Sequence, residues 1–136
     1  MSDTETRNET RRTILQAALN AVPFDGWSMD ALTAGMEAAI RAGVDPAQVR
    51  SAFPGGANQL LHFFIAEADR EMVAQAAALG LADGPVRERI SGIIRLRLDA
   101  LAPHKESIRR ALTLQLLPGR APSAMRGLYR TVDAIW

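Results

Sequence analysis

Proline and glycine cut this chain at intervals, and between the cuts apolar residues recur at helical spacing. Pro23 with Gly26, Gly43, Pro54-Gly55-Gly56, Gly80 with Gly84, Pro103, and Pro118-Gly119 with Pro122 leave seven segments of ordinary helix length. Composition points the same way, with 24 Ala and 15 Leu against six Val and one Tyr. Ala and Leu favour helix, whereas strands draw on β-branched and aromatic side chains. The predicted class is all-α, and 136 residues suffice for one domain around one core. No cysteine is present, which excludes disulfide scaffolds, thiol redox chemistry and thiolate metal sites. Sixteen Lys and Arg against fifteen acids give a net charge of +1, so no overall field draws the chain to nucleic acid or membrane.

The first helix is predicted from about Glu9 to Ala21, with Ile14, Leu15, Ala18 and Val22 on one face, stopped by Pro23 and Gly26. Ser28 caps a second that carries Met29, Leu32, Met36 and Ile40 and ends at Gly43. Asp45-Pro46 reads as N-cap and first residue of a short third helix to Phe53. A long helix follows from about Asn58 to Leu79, then one opened by Pro85 and closed by Pro103, on which Val86, Ile90, Ile93, Ile94 and Leu101 share a face. The sixth, about Lys105 to Leu117, is apolar almost all round through its second half, the mark of a central helix or one facing apolar matter. The last starts near Ser123, places Met125, Leu128, Val132 and Ile135 on one side, and reaches Trp136 uncapped, which reads as a chain cut short.

The polar start, with Asp3 and Glu5, is unlike a signal or transit peptide. The longest uncharged stretch, 51–66, is interrupted by Pro54-Gly55-Gly56 and falls short of the roughly 20 apolar residues that span a bilayer. The expectation is a soluble, cytoplasmic protein, at most peripheral to the inner face of a membrane.

Helices one to three, with Ala42-Gly43-Val44 between the second and third, have helix-turn-helix spacing. Arg12-Thr13-Ile14-Leu15-Gln16-Ala17-Ala18-Leu19, that turn, and Phe53-Pro54 after the third helix resemble tetracycline-repressor-like regulators. Charge argues against DNA as the partner. Residues 1–53 hold five Arg against seven acids, and the third helix offers one cation, Arg50, beside one anion, Asp45. A DNA-binding regulator with a hydrophobic effector is therefore the alternative reading.

A narrower resemblance covers residues 11 to 136. Val22-Pro23-Phe24-Asp25-Gly26-Trp27-Ser28, Ala52-Phe53-Pro54-Gly55-Gly56, Leu117-Pro118 and Val132-Asp133-Ala134-Ile135-Trp136 are similar, in order, to the ubiquinone-biosynthesis accessory family called Coq nine. The resemblance implies a repressor-like all-α bundle: a helix-turn-helix-like unit over 9–56, then a ligand-binding and dimerisation region over 57–136, as one continuous fold. It further implies an accessory protein that takes up isoprenoid quinone intermediates or phospholipid and presents the precursor to demethoxyubiquinone hydroxylase. It implies a homodimer, and further helices after the Trp, one of them membrane-binding.

For lipid contact the residues are Leu112, Leu114, Leu116 and Leu117 of helix six, with Ile90, Ile93, Ile94 and Leu98 opposite, and Phe64, Met72 and Met125 at the sides. An ordinary core is built from the same residue types, and sequence does not separate the two. For a partner protein, Met125, Tyr129, Asp133 and Trp136 form one stripe on the last helix, and the resemblance places the hydroxylase near Trp136. Packing of Trp136 under further helices is the equal alternative. Arg87, Arg89, Arg95 and Arg97 read as a solvated basic face. His62 and His104 lack ligand partners at metal spacing, and no nucleophile stands beside a base, so neither catalysis nor a cofactor is expected.

Overall fold

The first helix begins before its apolar residues do. In the computed structural model, which describes residues 2–115 together with Arg130, Val132 and Asp133, α1 spans Asp3–Ala18. The Ser2 hydroxyl accepts from Glu5 N at 3.2 Å, and the Glu5 carboxylate accepts from Ser2 N at 3.0 Å. This reciprocal cap satisfies two otherwise unpaired N–H groups, and Asp3 and Glu5 suit the positive end of the helix dipole. Apolar periodicity, which placed the start near Glu9, does not register a polar first turn held by its cap.

Pro23 does more than stop α1. It lies in the first turn of a separate short helix, α2 (Val22–Asp25), where a missing N–H breaks no bond. Gly26 closes α2 at φ 71°, a backbone region that L side chains avoid. The next two helices start at their predicted caps. Ser28 Oγ accepts from Ala31 N at 3.2 Å at the head of α3 (Met29–Arg41), and Asp45 Oδ1 accepts from Ala47 N at 3.0 Å at the head of α4 (Pro46–Ala52).

The long α5 (Ala57–Ala78) leads through a 3-10 turn, Leu81–Asp83, into α6 (Val86–Leu101). A second 3-10 turn, Ala102–His104, contains Pro103 and joins α6 to α7 (Lys105–Gln115). Residues 116–129 lie outside the described residues, and with them the expected end of helix six and start of the last helix. Arg130, Val132 and Asp133 are helical.

The larger core draws on α1 to α5 and α7. Ile14, Val22, Leu32, Val49, Leu60 and Leu61 are each 2% exposed or less. Each such side chain contributes roughly 1.5–3 kcal/mol relative to an exposed one. α1 and α3 approach closely because position 35 is glycine: a Cβ there would stand 2.6 Å from the Ile14 carbonyl oxygen and 2.9 Å from Ala18 Cβ. α4 is fastened to α1 by Arg11, whose Nε donates to the Ala52 carbonyl at 2.8 Å while its guanidinium lies 5.5 Å from the Phe53 ring centre. A smaller core joins α5 to α6 through Met72, Ala76 and Ile93, with Leu81 and Leu96 packed against it. The described residues are all-α, without a strand, which is consistent with the tetracycline-repressor-like bundle anticipated. The division expected near residue 56 falls where α5 begins, and the larger core crosses it.

Candidate functional site

The predicted apolar residues fall into three places rather than one. Met72 and Ile93 meet in the smaller core between α5 and α6, and Ile90 is half-buried nearby on α6. Phe64 belongs to the larger core, where its ring centre lies 5.1 Å from that of Trp27 and 6.1 Å from that of His104. Leu114 is half-buried against that same core. The third group faces water: Ile94 is 43% exposed, Leu98 65% and Leu112 57%. Leu116, Leu117 and Met125 lie outside the described residues.

The helical period explains the split. On α6 the side directed at α5 carries Ile93, Leu96 and Arg97, and the flank beside it carries residues four apart, Val86, Ile90, Ile94 and Leu98. Ile93 and Ile94 therefore part company, although the sequence pattern places both on one face. The flank is a row of apolar side chains of which Val86, Ile94 and Leu98 are exposed and Ile90 is half-buried, and Val73 on α5 is exposed as well. α7 is less apolar in its setting than its sequence suggested: Ser107 and Ala111 are buried, whereas Leu112 and Thr113 are exposed. Contiguous apolar surface of this kind marks interaction sites more often than isolated exposed residues do.

One member of the expected basic face turns inward. Arg97 pairs with Asp69 of α5, and the two side chains retain only 20% and 6% of their exposure. A buried acid requires a partner, because desolvating an unpaired carboxylate costs far more than the fold can spare. The sequence signal was Asp69 itself, which stands in register with Met72 and Ala76 on the inward side of α5. An acid in that register calls for a cation opposite.

Trp27, from the Pro23–Trp27 motif, is a structural plug. Its Nε1 donates to the Ser107 carbonyl at 2.8 Å within the core, tying the α2–α3 turn to α7. Of the expected partner stripe, Asp133 is exposed on a helix, flanked by the exposed Arg130 and Val132. Met125, Tyr129 and Trp136 lie outside the described residues. Among the described residues no helix is long and apolar enough to cross a membrane.

Known proteins resemble this chain almost from end to end. The mitochondrial ubiquinone biosynthesis protein COQ9 of Xenopus tropicalis is 27% identical over 139 residues, which take in 97% of this chain and 43% of that protein. The human COQ9 is 28% identical over 144 residues, 98% of this chain and 43% of the relative. The chain is similar to COQ9 proteins over nearly its whole length. The Bos taurus COQ9 adds 26% identity over 98% of this chain. No family model matches the sequence. The chain spans less than half the length of the COQ9 proteins it matches. The resemblance read from the Pro23–Trp27, Phe53–Gly56 and Val132–Trp136 motifs is thus the one that whole-chain comparison returns.

Proposed function

We propose that this chain is a non-catalytic accessory protein of ubiquinone biosynthesis that holds an isoprenoid quinone intermediate and presents it to demethoxyubiquinone hydroxylase. The observation that carries this reading is the similarity to COQ9 proteins over nearly the whole chain. The physical support is the apolar row on α6, with Val86, Ile94 and Leu98 open to water. An isoprenoid tail is a flexible hydrocarbon, and such a row offers it area to cover. Quinone intermediates partition into membranes, so the chain works at a membrane surface and the hydroxylase docks on the last helix around Asp133, Tyr129 and Trp136. A homodimer completes the proposal. The DNA-binding alternative has little support from α4, whose exposed side carries a single cation, Arg50.

Native mass spectrometry of the purified chain, followed by organic extraction and lipid identification, tests it. One isoprenoid quinone or phospholipid per subunit supports the reading, and the same spectrum reports the dimer. A chain that stays empty after incubation with short-chain ubiquinone in detergent overturns it.

A further inference from the structure

A cleft of about 390 Å³ opens between α1, α5 and the turn from α6 to α7, remote in kind from the apolar row of α6. That volume lies within the range of small-molecule sites, about 300–1,000 Å³. Leu15, Leu19, Phe64 and Leu101 give it an apolar floor, and Arg12 and His104 stand among its polar walls. We propose that this cleft binds a small apolar carboxylic acid, its carboxylate on Arg12 and its hydrocarbon body on Phe64 and the leucines.

The argument rests on which polar groups are already engaged. Glu67 accepts from Arg12 Nε at 2.8 Å and from Arg70 Nη2 at 2.9 Å, with Arg70 Nε at 3.3 Å. Arg70 is thus held two-pronged by Glu67. Arg12 gives only its Nε, and among the described residues its two terminal nitrogens meet no acceptor. The ring nitrogens of His104 likewise have no partner among the described residues, and the imidazole stands edge-on to Phe64 with ring centres 6.1 Å apart. Glu71, the other acid of the cleft, accepts from Gln75 Nε2 at 3.2 Å.

A guanidinium fixed by one carboxylate presents the rest of its planar fork to a second, which is how arginine recognises carboxylates. The match is to a single negative charge. A phosphate dianion would meet one open guanidinium edge with two acids, Glu67 and Glu71, close by. His104 can donate to or accept from a second polar atom on the ligand. This site shares no residue with the α6 row and does not depend on the accessory function proposed above.

Isothermal titration of the 136-residue chain with 2-naphthoate, and separately with 2-naphthalenemethanol, tests the assignment. The expected result is saturable one-to-one binding of naphthoate. Arg12→Gln should weaken it by about tenfold or more, while naphthalenemethanol changes by less than about twofold, since only a charge-assisted hydrogen bond is lost. Ala68→Leu, which fills the cleft with a helix-favouring side chain, should abolish both. Thermal melts establish that each variant folds. Should Arg12→Gln fail to fold, Arg12→Lys keeps the charge, loses the fork, and should still weaken naphthoate selectively. Absent naphthoate binding, equal weakening of both probes, or indifference to Ala68→Leu each overturns the proposal.

Discussion

Trp27 Nε1 donates to the main-chain carbonyl of Ser107, 80 positions along the chain, at 2.8 Å and away from water. Through this bond and the tilted ring contact of Trp27 with Phe64, centres 5.1 Å apart, the turn between α2 and α3 is joined to both α5 and α7. Trp27→Phe keeps an aromatic plug and removes the donor. The variant should lose about 1–3 kcal/mol, the cost of an unmet buried hydrogen bond plus the smaller ring. Urea denaturation followed by circular dichroism measures it, and a change below a few tenths of a kcal/mol would show the bond to be incidental.

Gly35 is the contact point of α1 and α3, with the Ile14 carbonyl oxygen 2.6 Å from where a Cβ would be. Ala is the better helix former, so an exposed Gly→Ala in mid-helix should stabilise by up to about 1 kcal/mol. Here the sign reverses. Gly35→Ala must push the helices apart and should cost about 1–3 kcal/mol, as overpacking does. A raised melting temperature would contradict the close approach.

Asp69 and Arg97 form a buried pair between α5 and α6. Arg97→Met takes this cation away from the buried carboxylate and should destabilise by up to about 3–5 kcal/mol. The double variant Asp69→Leu with Arg97→Met should recover most of that loss, because a well-packed apolar pair is close to neutral. Melting temperatures of the two variants, measured side by side, decide the point.

Burial works to raise the Glu67 carboxyl, but hydrogen bonds from Arg70 and Arg12, with their charges, outweigh it and hold the group below the usual carboxylate range. The folded pKa is therefore lower than the unfolded one. The stabilisation is complete above the unfolded value and fades as pH falls through the folded one. Acid titration of the melting temperature should show this loss below the ordinary carboxylate range, and Glu67→Gln should flatten that part of the profile. Identical slopes in both proteins would remove Glu67 from the account.

Leu98 is two-thirds exposed and Ile94 nearly half, so Leu98→Lys combined with Ile94→Gln should leave stability within about 0.5 kcal/mol. If the α6 row holds lipid, the same variant should lose co-purified lipid in the native mass spectrum. Undiminished lipid would move the binding surface elsewhere.

The caps and the breakers were legible from sequence: Ser28 and Asp45-Pro46 begin their helices as their chemistry dictates. The start of α1 was not, because Ser2 and Glu5 signal a helix through hydrogen bonds while carrying no apolar residue. Pro23 was read as a stop because proline ends a long helix and begins a short one by the same missing N–H. The site was only partly legible. Period alone places Ile93 and Ile94 on one broad apolar side, and only the packing of α5 decides that the first is buried and the second wet. Arg97 was hidden among like charges, and its role becomes visible only with Asp69 opposite.

The Asp69–Arg97 pair sets more than the join between two helices. Because Arg97 must reach inward, α6 cannot roll about its own axis to hide Leu98 without breaking an ion pair in a dry setting. The exposed Val86, Ile94 and Leu98 are thereby held in azimuth, on the flank beside the face that meets α5. A helix free to turn would trade that surface away in the empty state and re-expose it on demand. This one keeps that face in place, so binding there would need no rearrangement of the backbone.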